Sequence, residues 1–239
     1  MPHVTIIETG LVSPANRARH GSFPEMFERM IRAADASVSF DTVSIAAGDA
    51  LPDPACLEAI LITGSPAGVY DDLDWIAPLE AFVRNAHARQ VPMVGVCFGH
   101  QLIAQALGGT VRKSDKGWGL GRHVYDVADG KGLLDGGRIA LACSHQDQVI
   151  TPPDGATTFL SSAFTPHAGL LYAGGSTFSV QPHPEFTQGF AMACCEMAGS
   201  KGDAPADLVA SAQASLAGPL ESGRLGAAIT RFLTRTQKT

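Results

Sequence analysis

The stretch Gly95-Val96-Cys97-Phe98-Gly99-His100-Gln101 places the tightest constraint on how this chain can fold. Upstream, residues 91–96 form an apolar run that predicts a strand buried on both faces. Downstream, residues 101–107 carry a helical pattern that stops at Gly108-Gly109. A strand turning sharply into a helix leaves one side chain exposed at the top of a sheet. Glycines two residues either side of Cys97 let the backbone pass close to itself there. The pattern G-x-C-x-G is the cysteine form of the nucleophile elbow. A helix N-terminus beneath Cys97 favours thiolate over thiol, and the thiolate is the form that attacks carbon. Taken alone, the same pattern equally describes a buried structural cysteine between two packing glycines. The other parts of a site must therefore come from elsewhere in the chain.

Before the elbow, residues 3–9 read as a first strand and residues 38–45 as a second, with a helix over residues 25–34 between them. Residues 10–24 read as a polar loop. That loop holds no G-x-G-x-x-G, so a dinucleotide fingerprint is absent where it would matter. Residues 59–63 form a third, β-branched strand that ends in Gly64-Ser65-Pro66-Ala67-Gly68-Val69-Tyr70. Glycine-bearing turns at the carboxyl ends of parallel strands are where α/β folds place ligand-contacting loops, although a plain strand-to-helix turn reads the same way. Asp71, Asp72 and Asp74 are expected to cap a helix over residues 75–88. This alternation predicts an α/β fold: a doubly wound, mainly parallel sheet flanked by helices. After Gly109, short strands follow with turn signals at Gly117, Asp129-Gly130 and Gly136-Gly137. They predict an added short-stranded β region. The last strand covers residues 176–181. Beyond Gly199 two helical pieces, residues 205–216 and 220–233, predict a packed helical C-terminal tail. No repeat or linker divides the 239 residues, so one domain is expected, with its core over about residues 1–190.

The net charge of −6 offers no basic footprint, which argues against nucleic acid as a partner. The five cysteines are irregularly spaced and two are adjacent, Cys194 and Cys195, which is no disulfide framework. With no signal peptide and no membrane-length apolar run, a cytoplasmic setting is expected.

Gln181-Pro182-His183-Pro184-Glu185 closes the last strand. Residues two apart in an extended segment point the same way, and the flanking prolines restrict the direction of the His183 ring. A carboxylate beside an imidazole sets its tautomer and stabilises imidazolium. His183 and Glu185 therefore complete a Cys-His-Glu set with Cys97, although a His beside a Glu is by itself usually a surface pair. Cys143-Ser144-His145-Gln146-Asp147 has three readings: a substrate-binding rim, a metal site on Cys143 and His145, or a base at His145 in place of His183. Cys-x-His with no second pair is weak for zinc, and His183 ranks above His145 because it has a carboxylate and prolines to hold it.

With these three separated motifs in this order, the chain resembles the class I glutamine amidotransferases. The likeness extends to about residue 190 and is strongest toward the glutaminase domain of GMP synthetase and the gamma-glutamyl peptidases. The resemblance implies a flavodoxin-like sheet and a triad of Cys97, His183 and Glu185. It implies an oxyanion hole at Gly64, Ser65 and Phe98, and substrate contacts from Gln101, Ser144, His145 and Gln146. The reaction implied is thiolate attack on the side-chain amide of glutamine. A γ-glutamyl thioester forms and ammonia is released for a separate acceptor enzyme. A stand-alone γ-glutamyl hydrolase or peptidase is the alternative, and a non-catalytic protein on the same scaffold a third. No metal, organic cofactor or membrane is implied. The partners implied are glutamine or a γ-glutamyl compound and a separate synthase subunit. Two features depart from the family pattern. Ser65 stands where the loop is commonly Gly-Gly-Pro, and the family usually carries its acceptor-modifying synthase on the same chain or on a partner, for which these 239 residues are expected to leave no room.

Overall fold

The computed structural model describes residues 1–128 and 132–235, so the turn expected at Asp129-Gly130 lies outside the described residues. The chain runs β1 (His3–Glu8), α1 (Pro14–His20), α2 (Phe23–Ala34), β2 (Ser39–Ser44), β3 (Ile60–Ile62), α3 (Ile76–Ala88), β4 (Met93–Val96) and α4 (Phe98–Ala106). It continues β5 (Thr110–Lys113), β6 (Gly119–Val127), β7 (Gly137–His145), β8 (Asp147–Thr151), β9 (Thr157–Ser161), β10 (Gly169–Leu171) and β11 (Thr177–Val180). Three helices follow: α5 (Gln188–Ser200), α6 (Ala206–Ser215) and α7 (Ser222–Leu233).

Among the described residues, nine strands form one mixed sheet in the order β2-β1-β3-β4-β11-β10-β9-β6-β7. From β2 to β11 every pair is parallel, and from β11 to β7 every pair is antiparallel. The added β region is thus mostly a continuation of the main sheet. Among the described residues only β5 and β8 form a separate two-stranded ribbon.

The parallel strands are apolar on both faces because helices cover both. Val4, Ile6 and Leu61 face Phe27 and Ile31 of α2 and Leu225 and Ile229 of α7. Ile7, Ile60 and Ile62 face Leu79 and Val83 of α3 and Leu102 and Ile103 of α4. The switch between Leu61 and its two neighbours follows the period of two. The expected C-terminal tail supplies a layer of the core through α7. A third cluster joins Phe186, Phe190 and Cys195 to Leu120 and Ala142 beneath the antiparallel part. Among the described residues no helix is long and apolar enough to cross a membrane.

Three elements differ from the expectations. Residues 14–20, expected as loop, form α1. This helix buries no side chain, so it has no apolar period to read. The strand β8 and the helix α5 are further elements that the sequence pattern does not announce. The buried residues of α5 are Phe190, Ala191, Ala193, Cys194, Cys195 and Ala198, mostly small, and give little contrast between faces. The expected cap at 71–74 is also different: α3 starts at Ile76, its N-cap residue Trp75 makes no side-chain capping bond, and Asp71 Oδ2 instead accepts from Gly68 N–H at 2.8 Å.

Candidate active site

Cys97 sits between β4 and α4 with φ 54° and ψ −102°. Among the described residues only Gln90 shares a positive φ without being glycine. Such a backbone costs about 1–3 kcal/mol and persists only where its surroundings over-determine it. Here they do. Cys97 N–H donates to Val180 O at 2.9 Å, carrying the β4–β11 ladder into the turn. Gly99 N–H donates to Thr63 O at 3.1 Å. The two glycines of the motif are required by close approach. A Cβ on Gly95 would lie 2.4 Å from Gly99 O, and one on Gly99 would lie 2.4 Å from Ile62 O.

His183 reaches this point from the end of β11. Its N–H donates to Ala142 O at 2.9 Å in an isolated bridge, which draws the end of β7 to the site. Its Nδ1 donates to Glu185 Oε1 at 2.7 Å, with the Glu185 side chain fully buried and the His183 side chain 3% exposed. Phe186 stacks on the imidazole at 3.9 Å and 11°, fixing the plane of the ring. Burial works to lower the pKa of His183, but the charges of Glu185 and Cys97 outweigh it and raise it to about 10. The environment therefore favours the charged imidazole, with Nδ1 bonded to Glu185. The folded-state pKa exceeds the unfolded one, so this contribution to stability is complete below about pH 6.5 and is lost as pH rises through about 10.

Gly64 lies against both groups: a Cβ there would sit 3.2 Å from His183 Cε1 and 3.7 Å from Cys97 Cβ. Its carbonyl accepts from Thr9 Oγ1 at 3.2 Å and Thr63 Oγ1 at 3.1 Å. The Ser65 Oγ accepts from Ala67 N–H at 3.2 Å. Phe98 opens α4, so its N–H belongs to the first turn, which lacks intrahelical acceptors.

The other sequence-predicted residues divide. Ser144 O accepts from Cys97 Sγ at 3.9 Å, which places this stretch beside the thiol. Gln101 Nε2 donates to Asp147 O at 2.9 Å and Gln181 Oε1 at 3.1 Å, so its amide hydrogens bind the rim to the sheet. His145 is buried, donates from Nδ1 to Asp147 O at 3.0 Å and packs near Phe164. Burial, helped by His123, pushes its pKa down to about 3. Gln146 is half-buried and its carbonyl accepts from Ser114 N–H.

Sequence reasoning did not single out Phe186, although it directly follows Glu185. Nor did it find the hydroxyl of Tyr70, which donates to the Asp147 carboxylate with 2.9 Å to each oxygen. That contact joins the Gly64–Tyr70 loop to the 144–147 stretch across 77 residues of chain, and no local signal marks it.

A comparison with protein families matches residues 19–192 to glutamine amidotransferase class-I. The chain belongs to this family. A subunit of glutamine-hydrolyzing GMP synthase from Sulfolobus acidocaldarius is 30% identical over 150 residues, 62% of this chain and 78% of that protein. Gamma-glutamyl peptidase 3 of Arabidopsis thaliana is 29% identical over 139 residues, 55% of this chain and 55% of that protein. The chain therefore spans only about half the length of the peptidase. A crystal structure of a glutamine amidotransferase from Thermotoga maritima superposes with a TM-score of 0.75 at 19% identity, over 98% of this chain and 99% of that one. One from Methylobacillus flagellatus gives 0.75 at 21% identity, over 97% and 93%. At these identities the likeness is one of fold, and the class I amidotransferase fold is the one described above.

Glu185 is the largest single influence that opposes burial at His183, which yields a testable result. In Glu185→Gln burial meets less opposition, so the pKa of His183 falls. The alkaline limb of the kcat/KM–pH profile is expected to move to lower pH. An unmoved limb would show that another group sets it.

Proposed function

We propose that the chain cleaves the side-chain amide of glutamine or of a γ-glutamyl compound, with Cys97 as nucleophile and His183 as acid–base group. The observation that carries this reading is the buried 2.7 Å bond between His183 and Glu185 beside a cysteine held at positive φ. In the reaction proposed, the Cys97 thiolate adds to the amide carbon. The N–H of Ser65, next to Gly64, and that of Phe98, next to Cys97, are assigned to the developing oxyanion. His183 gives its proton to the departing nitrogen as the C–N bond breaks. The γ-glutamyl thioester then reacts with water, whose proton passes to His183, and the thiolate is regenerated. Gln101 and residues 144–146 are assigned to holding the glutamyl part. Glu185 keeps Nδ1 protonated and orients the ring.

Two destinations for the released amine follow from this chemistry. Release of ammonia to a separate acceptor enzyme is the reading suggested by the relatives named as GMP synthase subunits. Stand-alone hydrolysis is favoured by one feature of the loop. The Gly64 carbonyl is held by two threonine hydroxyls, and a trans peptide unit directs the following N–H the opposite way. Turning the Ser65 N–H away would give up the Thr63 bond to this carbonyl and leave the Thr9 hydroxyl only its alternative acceptor, Thr63 O at 3.1 Å, so the loop resists that turn.

Steady-state turnover by the protein alone, on glutamine and on γ-glutamyl peptides, tests both readings. Turnover of a γ-glutamyl peptide is expected to exceed that of glutamine, and a glutamine-mimicking electrophile is expected to label Cys97. Burial pushes up the pKa values of Cys143, Cys194 and Cys195, which leaves them as thiols. Label found mainly on another cysteine, or no turnover of any γ-glutamyl amide, would overturn the assignment.

A further inference from the structure

Two segments from distant parts of the chain border Cys97. The loop after β3 brings Gly64 close enough that a Cβ on it would lie 3.7 Å from Cys97 Cβ. The rim after β7 brings Ser144 O to 3.9 Å from Cys97 Sγ. The far ends of these segments are joined as well. Tyr70 closes the loop, Asp147 closes the rim, and the Tyr70 hydroxyl donates to the Asp147 carboxylate at 2.9 Å. Among the described residues no other hydrogen bond joins the two segments.

The surroundings are shaped for this contact. A Cβ on Gly68 would lie 3.0 Å from the Tyr70 ring and 3.2 Å from Asp147 Oδ2, so a side chain there would crowd both partners. Asp147 is half-buried and, among the described residues, forms no ion pair. Burial, helped by the charge of Asp71, raises its pKa. A carboxylate in such a place depends on the hydroxyl that reaches it. The backbone of the same residue is tied elsewhere: Asp147 O accepts from Gln101 Nε2 at 2.9 Å and His145 Nδ1 at 3.0 Å. Gln101 belongs to α4, the helix that starts at the strained turn of Cys97. Asp147 therefore links the elbow, through its backbone, to the loop of Ser65, through its side chain. The loop has a second hold of another kind. Gln105 Nε2 donates to Val69 O at 2.9 Å, which fastens the loop to α4 and not to the rim.

In the reaction proposed above, the Ser65 N–H meets an oxyanion that exists in the transition state and not in the substrate. Such a donor works through its position. We propose that Tyr70 and Asp147 are a positioning pair that holds the segment of Ser65 against the Ser144 rim across Cys97. Tyr70 acts through Ser65, and Asp147 acts through Ser144. This rests on the reading of the chain as a γ-glutamyl amide hydrolase with Ser65 as an oxyanion donor.

The test uses Tyr70→Phe, Asp147→Ala, the two together, and Asp147→Asn, which keeps an acceptor oxygen. Neither residue is buried and Gln105 still holds Val69, so the variants are expected to fold, and denaturant midpoints check this. Tyr70→Phe and Asp147→Ala are each expected to lower kcat by about tenfold, less than the roughly 100-fold or more that follows outright loss of an oxyanion donor. KM is expected to stay nearly unchanged, since the lost interaction acts in the transition state. The double variant is expected to lose no more than either single one, because the same bond is already broken. Asp147→Asn is expected to keep most of the activity. Wild-type kcat in Tyr70→Phe, or losses that multiply in the double variant, would overturn the pair. So would an Asp147→Asn as damaged as Asp147→Ala with a raised KM, which would place the carboxylate charge on the substrate itself. Amide hydrogen exchange over residues 65–69, read without substrate, separates this proposal from the hydrolase reading. Turnover of no γ-glutamyl amide by the wild type would end that reading alone. Faster exchange in Tyr70→Phe would still uphold the pair as the hold on this loop, and unchanged exchange would overturn it.

Discussion

Replacing His183 by alanine is expected to lower turnover on γ-glutamyl amides as far as replacing Cys97 does, on the order of 10⁴-fold or more, because members of such a set act as a unit. The physical reason lies in the coupling of the two groups. The charged form of His183 is favoured by Glu185 and Cys97 against the effect of burial. His183→Ala also leaves the Glu185 carboxylate buried without its partner, which costs stability as well as rate. His183→Asn keeps a donor near Glu185 and serves as the second variant. Its alkylation rate at Cys97, measured with iodoacetamide, reports loss of thiolate directly, apart from any folding defect. His145 is the rival base, but burial pushes its pKa down to about 3 and its Nδ1 is committed to the backbone. Greater damage from His145→Ala than from His183→Ala, with activity retained in the latter, would reverse the assignment.

The second large effect is expected at a residue with no reactive atom. Gly99→Ala would set a Cβ 2.4 Å from Ile62 O and 3.0 Å from Ile62 Cβ. Neither neighbour can turn aside, since Ile62 is in the parallel ladder between β1 and β4. Helix α4 must move away from β3, and the strained turn at Cys97 moves with it. Overpacking of this kind costs about 1–3 kcal/mol. For a chain of this size the melting temperature should fall by roughly 2–12 °C. Denaturant unfolding should show a lower midpoint at an unchanged slope. The activity should fall further than the stability does, because the alanine shifts the elbow even in molecules that remain folded. A variant with wild-type midpoint and wild-type turnover would show that the close approach at Gly99 is not needed.

The elbow, the parallel strands and the helices between them were legible in the sequence because each rests on a short-range cause. The glycines at 95 and 99 mark a close approach, the run at 91–96 marks a strand buried on both faces, and the apolar positions of α2 recur at helical spacing. The pairing of His183 with Glu185 was legible for the same reason, since two residues apart in an extended segment share a side. The helix α1 was not, because a helix that buries nothing leaves no periodic trace. What only the tertiary structure decided are the contacts between segments distant in the chain. The bridge from His183 to Ala142, the hydroxyls of Thr9 and Thr63 on the Gly64 carbonyl and the clasp of Tyr70 on Asp147 all belong to this class. Local pattern reports which face of an element is buried. Which elements then meet is set by sheet order and by how the antiparallel strands fold back on the parallel ones, and no single segment carries that information.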